Sequence, residues 1–124
     1  MRVLIADDDK DQLFVRSMLL RQNGFEPIEA EDARVAIEKA AVYKPECAII
    51  DLRLPTEEVG FGLIRELKKL DSTIHVIVLT GGDARRLSTR SENDLIDEIV
   101  VKGSPSTHMI RKLKAIAAGL GALL

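Results

Sequence analysis

Four short aliphatic runs recur along the chain, at Val3–Ala6, Cys47–Ile50, Ile74–Leu79 and Ile99–Val101. Each is rich in Val, Ile or Leu and alternates little with polar residues. Strands buried on both faces of a parallel sheet read this way. Phe25–Glu29 is a weaker fifth run. Pro27 inside it removes a ladder donor, so this strand is expected at a sheet edge.

Helical spacing fills the intervals. In Lys10–Asn23 an apolar side forms from Leu13, Phe14, Met18 and Leu20, and Gly24 follows as a C′ residue. Ala33, Ala36, Ile37, Ala40 and Ala41 repeat at i, i+3, i+4, i+7 and i+8, with Asp32 placed to cap them. Leu63, Ile64, Leu67 and Leu70 mark a third helix. A fourth, polar and weak, is expected from about Ala84 to Asn93. Ser104-Pro105 reads as N-cap and N1 of a fifth helix carrying Met109, Ile110, Leu113 and Ile116. The order βαβαβαβαβα predicts an α/β fold: a doubly wound, five-stranded parallel sheet with right-handed crossovers.

Composition narrows the class. A length of 124 residues argues for one domain, and 46% apolar with 31% charged residues is a globular balance. A net charge of −2 points to neither nucleic acid nor a membrane surface. The single cysteine, Cys47, excludes an intrachain disulfide and any CxxC metal spacing, and is consistent with a cytoplasmic location. Val3–Ala6 is too short for a signal peptide, and no run approaches the ~18 residues that span a bilayer. Residues 1–118 are expected to form the domain, with 119–124 as a short apolar C-terminal tail.

In sheets of this kind, sites form beyond the carboxyl ends of the strands. Asp7, Asp8 and Asp9 follow the first strand, Asp51 the third, Thr80 the fourth and Lys102 the fifth. Adjacent carboxylates repel by about 4 kcal/mol per pair at ~4 Å and an effective dielectric of ~20. Solvation, a helix start or a cation among them relieves that repulsion. Capping is a real alternative for part of the cluster, because Asp9 with Gln12 fits a capping box. Carboxylate oxygens gathered from separate strand ends suit Mg²⁺, and a hydroxyl with an ammonium suits an anion above it. Phosphoryl is the natural anion, since its transfer needs positioning and charge neutralisation above all.

With these residues in place, the sequence resembles the receiver domain of bacterial two-component response regulators, from Arg2 to about Ala117. VLIADDD is similar to the family's opening strand and acidic pair, and NGF at Asn23–Phe25 to the turn before its second strand. KPECAIIDLRLP at Lys44–Pro55 resembles the phosphoacceptor loop, LTGGD at Leu79–Asp83 the hydroxyl loop, and VVKGSP at Val100–Pro105 the lysine loop. The resemblance implies a flavodoxin-like (βα)5 sheet of order 2-1-3-4-5. It implies Asp51 as phosphoacceptor, with Thr80 and Lys102 binding phosphoryl oxygens. Mg²⁺ would be held by Asp8, Asp51 and the backbone carbonyl of Arg53, with Asp7 acting mostly through water. The domain would catalyse its own aspartyl phosphorylation and dephosphorylation. The donor would be a sensor histidine kinase or histidine phosphotransfer protein.

Three positions depart from the family pattern. Ile99 stands where an aromatic residue is usual, three before Lys102. Gly103 replaces the common proline after the lysine, and the Pro55–Gly60 loop is one residue longer. The implied output is a change in partner binding through the region from the fourth strand to the fifth. A homodimer through the fourth helix, fifth strand and fifth helix is a further expectation. Arg85, Arg86 and Arg90 read as a solvated or protein-facing cluster without direct nucleic-acid contact. His75 and His108 lack ligand spacing. Two other readings stand beside this one. One is a receiver-like module that binds partners without phosphorylation. The other is a haloacid-dehalogenase-type phosphohydrolase using Asp7-x-Asp9, Thr80 and Lys102, which would leave Asp51 idle.

Overall fold

All five runs form strands, at Arg2–Ala6 (β1), Glu26–Ala30 (β2), Cys47–Asp51 (β3), His75–Thr80 (β4) and Glu98–Val101 (β5). They belong to a computed structural model that describes residues 1–82 and 84–123, with side chains as far as residue 120. Every pairing is parallel, in the order β2-β1-β3-β4-β5. The α-helices are α1 (Lys10–Gln22), α2 (Ala33–Tyr43), α3 (Glu57–Leu70) and α4 (Ser106–Leu123). Of the 119–124 tail, residues 119–123 continue α4, and residue 124 lies outside the described residues, as does Asp83. Among the described residues no helix is long and apolar enough to cross a membrane.

Strand alternation divides the interior into two cores. Leu4, Ala48, Ile50 and Val76 face α2 and α3, where Ala36, Ala40, Phe61, Ile64 and Leu67 cover them. Val3, Ile5, Cys47 and Ile49 face α1 and α4, where Leu13, Leu20, Met109 and Leu113 cover them. The chain winds outward from β1 to β2 and then returns to place β3 on the other side of β1. The loops after β1 and β3 therefore open into one crevice, at the switch in strand order.

Local chemistry sets the element ends. Asp9 caps α1 by accepting from Asp11 N (3.0 Å) and Gln12 N (3.2 Å). Asp32 caps α2 through Val35 N at 2.8 Å. Gly24, with φ of +85°, ends α1 in a Schellman turn: Phe25 N donates to Leu20 O, and Gly24 N to Arg21 O. β2 lies at the edge, as Pro27 requires, and the Lys39 ammonium donates to the Glu29 carbonyl at 2.6 Å.

Three expectations are corrected. The fourth helix is not α-helical; 84–89 and 91–95 are two short 3₁₀ segments. Leu87 is their one buried apolar residue, and Ser, Thr, Asn and Asp at 88–94 compete for the backbone groups a helix would use. On α1 the buried stripe is Leu13, Ser17 and Leu20, while Phe14 (61% exposed) and Met18 face outward. Only the i, i+4, i+7 line meets the sheet, so apolar character misassigned these two residues. Ser104 does not cap α4, because its hydroxyl donates to the Val101 carbonyl at 2.6 Å. The cis peptide is Leu54–Pro55, whereas Gly103 turns the lysine loop with φ of +91°.

Candidate functional site

Parallel strands in register bring four sequence-distant ends together. Ala6 pairs with Ile50, Asp51 with Leu79, and Thr80 with Val101, so the residues that follow share one end of the sheet. Carboxylate oxygens of Asp7, Asp8 and Asp51 all lie within 4.8 Å of one another. Beside them a cavity of about 440 Å³ is lined by Asp51, Arg53, Glu57, Thr80, Gly81, Gly82, Arg86 and Lys102, among others.

Each carboxylate has a different setting. Asp51 is buried at the end of β3; its Oδ2 accepts from Lys102 Nζ at 2.8 Å and its Oδ1 from the Arg53 N–H at 3.1 Å. Asp7 is buried at 1% exposure. Its Oδ1 accepts the Asp9 N–H at 2.9 Å, and its Oδ2 accepts from Arg16 Nη1. Burial pushes the Asp7 carboxyl above its ordinary range, and the Asp51 charge adds to this, while the Asp9 N–H and Arg16 oppose it. Asp8 is exposed and has no hydrogen-bond or ion-pair partner among the described residues. Buried Thr80 keeps its hydroxyl near the Gly82 N–H at 3.5 Å, and its carbonyl accepts from Lys102 N at 2.7 Å. That backbone bond ties the hydroxyl loop to the lysine loop.

Three hard-oxygen donors at this spacing, one of them unpartnered, fit a divalent ion of the magnesium type. The three adjacent aspartates of the sequence thus divide their work. Asp9 caps the helix, and Asp7 with Asp8 enters the acidic site. All predicted site residues converge: Asp7, Asp8, Asp51, Arg53, Thr80 and Lys102.

Arg16 and Glu57 were missed, and Arg86, read as part of a solvated or protein-facing cluster, stands at the cavity. Arg86 forms a double hydrogen bond with Glu57 at the cavity rim, which holds the Glu57 carboxyl below the usual range. Arg16 meets Asp7 from α1. The signal for Arg16 was present: it lies between Leu13 and Leu20 beside the helix stripe that faces the sheet, where an unpaired charge is costly.

The fold and this acidic crevice define a doubly wound α/β class with carboxylates, a hydroxyl and an ammonium gathered at the strand ends. The sequence profile of the response regulator receiver domain matches residues 3–114, and the chain belongs to that family. The transcriptional regulatory protein PrrA of Mycobacterium leprae is 27% identical over 121 residues, 98% of this chain and 52% of that protein. The phosphate regulon transcriptional regulatory protein PhoB of Escherichia coli is 27% identical over 117 residues, 93% of this chain and 51% of its own length. The chain thus spans about half the length of the curated relatives it matches. Among solved structures, a receiver domain protein from Clostridium thermocellum superposes with a TM-score of 0.87 at 20% identity, covering 99% of this chain and 98% of that one. The response regulator TrrA of Thermotoga maritima, solved in complex with Mg²⁺-BeF, gives a TM-score of 0.81 at 26% identity over 93% and 97% of the two chains.

Proposed function

We propose that this receiver domain, residues 1–118, takes a phosphoryl group onto Asp51 from the phosphohistidine of a sensor histidine kinase or histidine phosphotransfer protein. The observation that carries the reading is the position of Asp51. Its buried carboxylate meets the Lys102 ammonium at 2.8 Å and stands within 4.8 Å of the Asp7 and Asp8 oxygens. Such an arrangement has a nucleophile, a charge partner and a cation-holding pair in one place.

In the transfer, an Asp51 oxygen attacks phosphorus, the donor's N–P bond breaks, and the leaving imidazole keeps the bonding pair. The product is an acyl phosphate, which water later hydrolyses. Asp8, Asp51 and the Arg53 carbonyl would hold Mg²⁺, with Asp7 acting through water; the ion supplies neutralisation of phosphoryl charge. Lys102 exchanges its bond to Asp51 for one to a phosphoryl oxygen. Thr80 turns its hydroxyl from the Gly82 N–H to another. The added charge of about −1.5 to −2 then draws the β4–β5 region inward and changes the face offered to an output partner. That partner is a protein, with no direct contact to nucleic acid or membrane. A second copy of the chain, docked through the face formed by 84–95, β5 and α4, is one such partner, and the cytoplasm is the expected setting.

Incubation with Mg²⁺ and a small acyl-phosphate donor, followed by intact-mass measurement, tests this. The expected result is one added phosphoryl group, absent in Asp51→Asn and absent when the metal is chelated. An unmodified chain that never gains mass would reverse the reading in favour of a non-phosphorylated binding module.

A further inference from the structure

We propose that Arg16 is a built-in counter-cation of the acidic site, which competes with the divalent ion and sets its affinity. This rests on the metal-holding role proposed for Asp7, Asp8 and Asp51.

The geometry distributes partners unevenly over the three carboxylates. Both oxygens of Asp51 are engaged, by Lys102 Nζ and the Arg53 N–H. Both oxygens of Asp7 are engaged as well, by the Asp9 N–H and Arg16 Nη1. Asp8 alone stands open. Two cations therefore neutralise different members of the acidic cluster, Lys102 at Asp51 from β5 and Arg16 at Asp7 from α1.

The two cations differ in reach. Lys102 lines the cavity that contains Thr80 and can follow a phosphoryl group there. Arg16 does not line that cavity. It lies in the groove between α1 and the loop after β5, with Gln12, Val15, Pro105 and Met109, a groove that Lys102 also borders, and it meets Asp7 from α1. Its side chain is 16% exposed against a partner at 1%, so bulk water screens this pair poorly. Surface ion pairs are worth little, but this one neutralises a carboxylate that has almost no access to solvent.

The consequence has two opposite signs. Without a metal, Arg16 relieves the mutual repulsion of Asp7, Asp8 and Asp51 and so holds the fold together. With a metal, the same guanidinium repels the incoming ion and keeps Asp7 turned toward α1. A residue serving only as structural glue would, on removal, weaken folding and metal binding together.

The test is Mg²⁺ binding by titration calorimetry, without any phosphodonor, on wild type, Arg16→Gln and Arg16→Lys. Glutamine keeps a hydrogen-bond donor and loses the charge. Arg16→Gln is expected to bind Mg²⁺ about tenfold tighter, the scale of removing one nearby charge, while its metal-free form melts at a lower temperature. Arg16→Lys should stay near wild type in both. Equal or weaker Mg²⁺ binding by a folded Arg16→Gln overturns the inference and leaves the phosphoacceptor reading intact. If neither wild type nor variant binds Mg²⁺ at millimolar concentration, both fall. Should the metal-free variant not fold, the wild-type Arg16 Nε resonance decides: it is expected to move on Mg²⁺ saturation, and an unmoved resonance overturns the inference.

Discussion

Asp7 carries an electrostatic conflict at the acidic site. Burial raises its folded-state pKa above the ordinary 3.8, and the Arg16 pair only partly offsets this. A raised carboxylate binds more protons in the folded state than in the unfolded one. It therefore lowers stability as pH rises from 3.8 to its folded value, and stability stays lower above that. Denaturant midpoints measured across this range with the metal chelated should show this downward slope, and Asp7→Asn should lack it. An identical slope in the two proteins would contradict the assignment. Cys47 behaves differently: buried in the central strand, its thiol is pushed up to about 12, so it is a core residue without nucleophilic character at neutral pH.

At the level of elements, α3 approaches the loop after β3 so closely that only glycine fits at position 60. A Cβ there would stand 2.1 Å from the Leu52 carbonyl oxygen, and backbone cannot yield as a side chain does. Gly60→Ala should lose about 3 kcal/mol in denaturant unfolding and displace Asp51, which adjoins Leu52. Above this junction, two adjacent acids at the start of α3 clasp the 84–95 segment. Glu57 holds Arg86, Glu58 holds Arg90, and Arg90 stacks 4.1 Å from the Phe61 ring while also meeting Glu92. Side-chain charges thus anchor a segment that lacks a continuous helix. That explains what sequence could reveal and what it could not. The strands were legible because burial on both faces leaves unbroken aliphatic runs, and the site because the fold reads strand ends in order. The 84–95 segment was misread because its stability comes from arginines paired about thirty residues away, which leave no local period. Phe14 and Met18 were misread because apolar character does not say which side of α1 meets the sheet.

For the whole molecule, switching sets a modest energy against a large one. Moving an equilibrium from 1:99 to 99:1 needs ~5.5 kcal/mol. Thr80 and Lys102 offer one or two charge-assisted hydrogen bonds to a phosphoryl group, worth ~1.5–3 kcal/mol each. Ile99 adds no aromatic ring to lock the change, and the arginine clasp on Glu57 and Glu58 opposes it. Activation should therefore shift populations only partly, seen as intermediate or exchange-broadened amide resonances across 80–102. Unchanged spectra in that region would refute the shift. The two rims of the sheet are also unlike. β2 directs position 27, where proline has no N–H, and position 29, whose carbonyl Lys39 already occupies, away from β1. A foreign strand laid along that rim finds no donor at Pro27 and a carbonyl already occupied at Glu29. Templated fibril growth is thereby hindered at one of its two starting edges by the backbone itself.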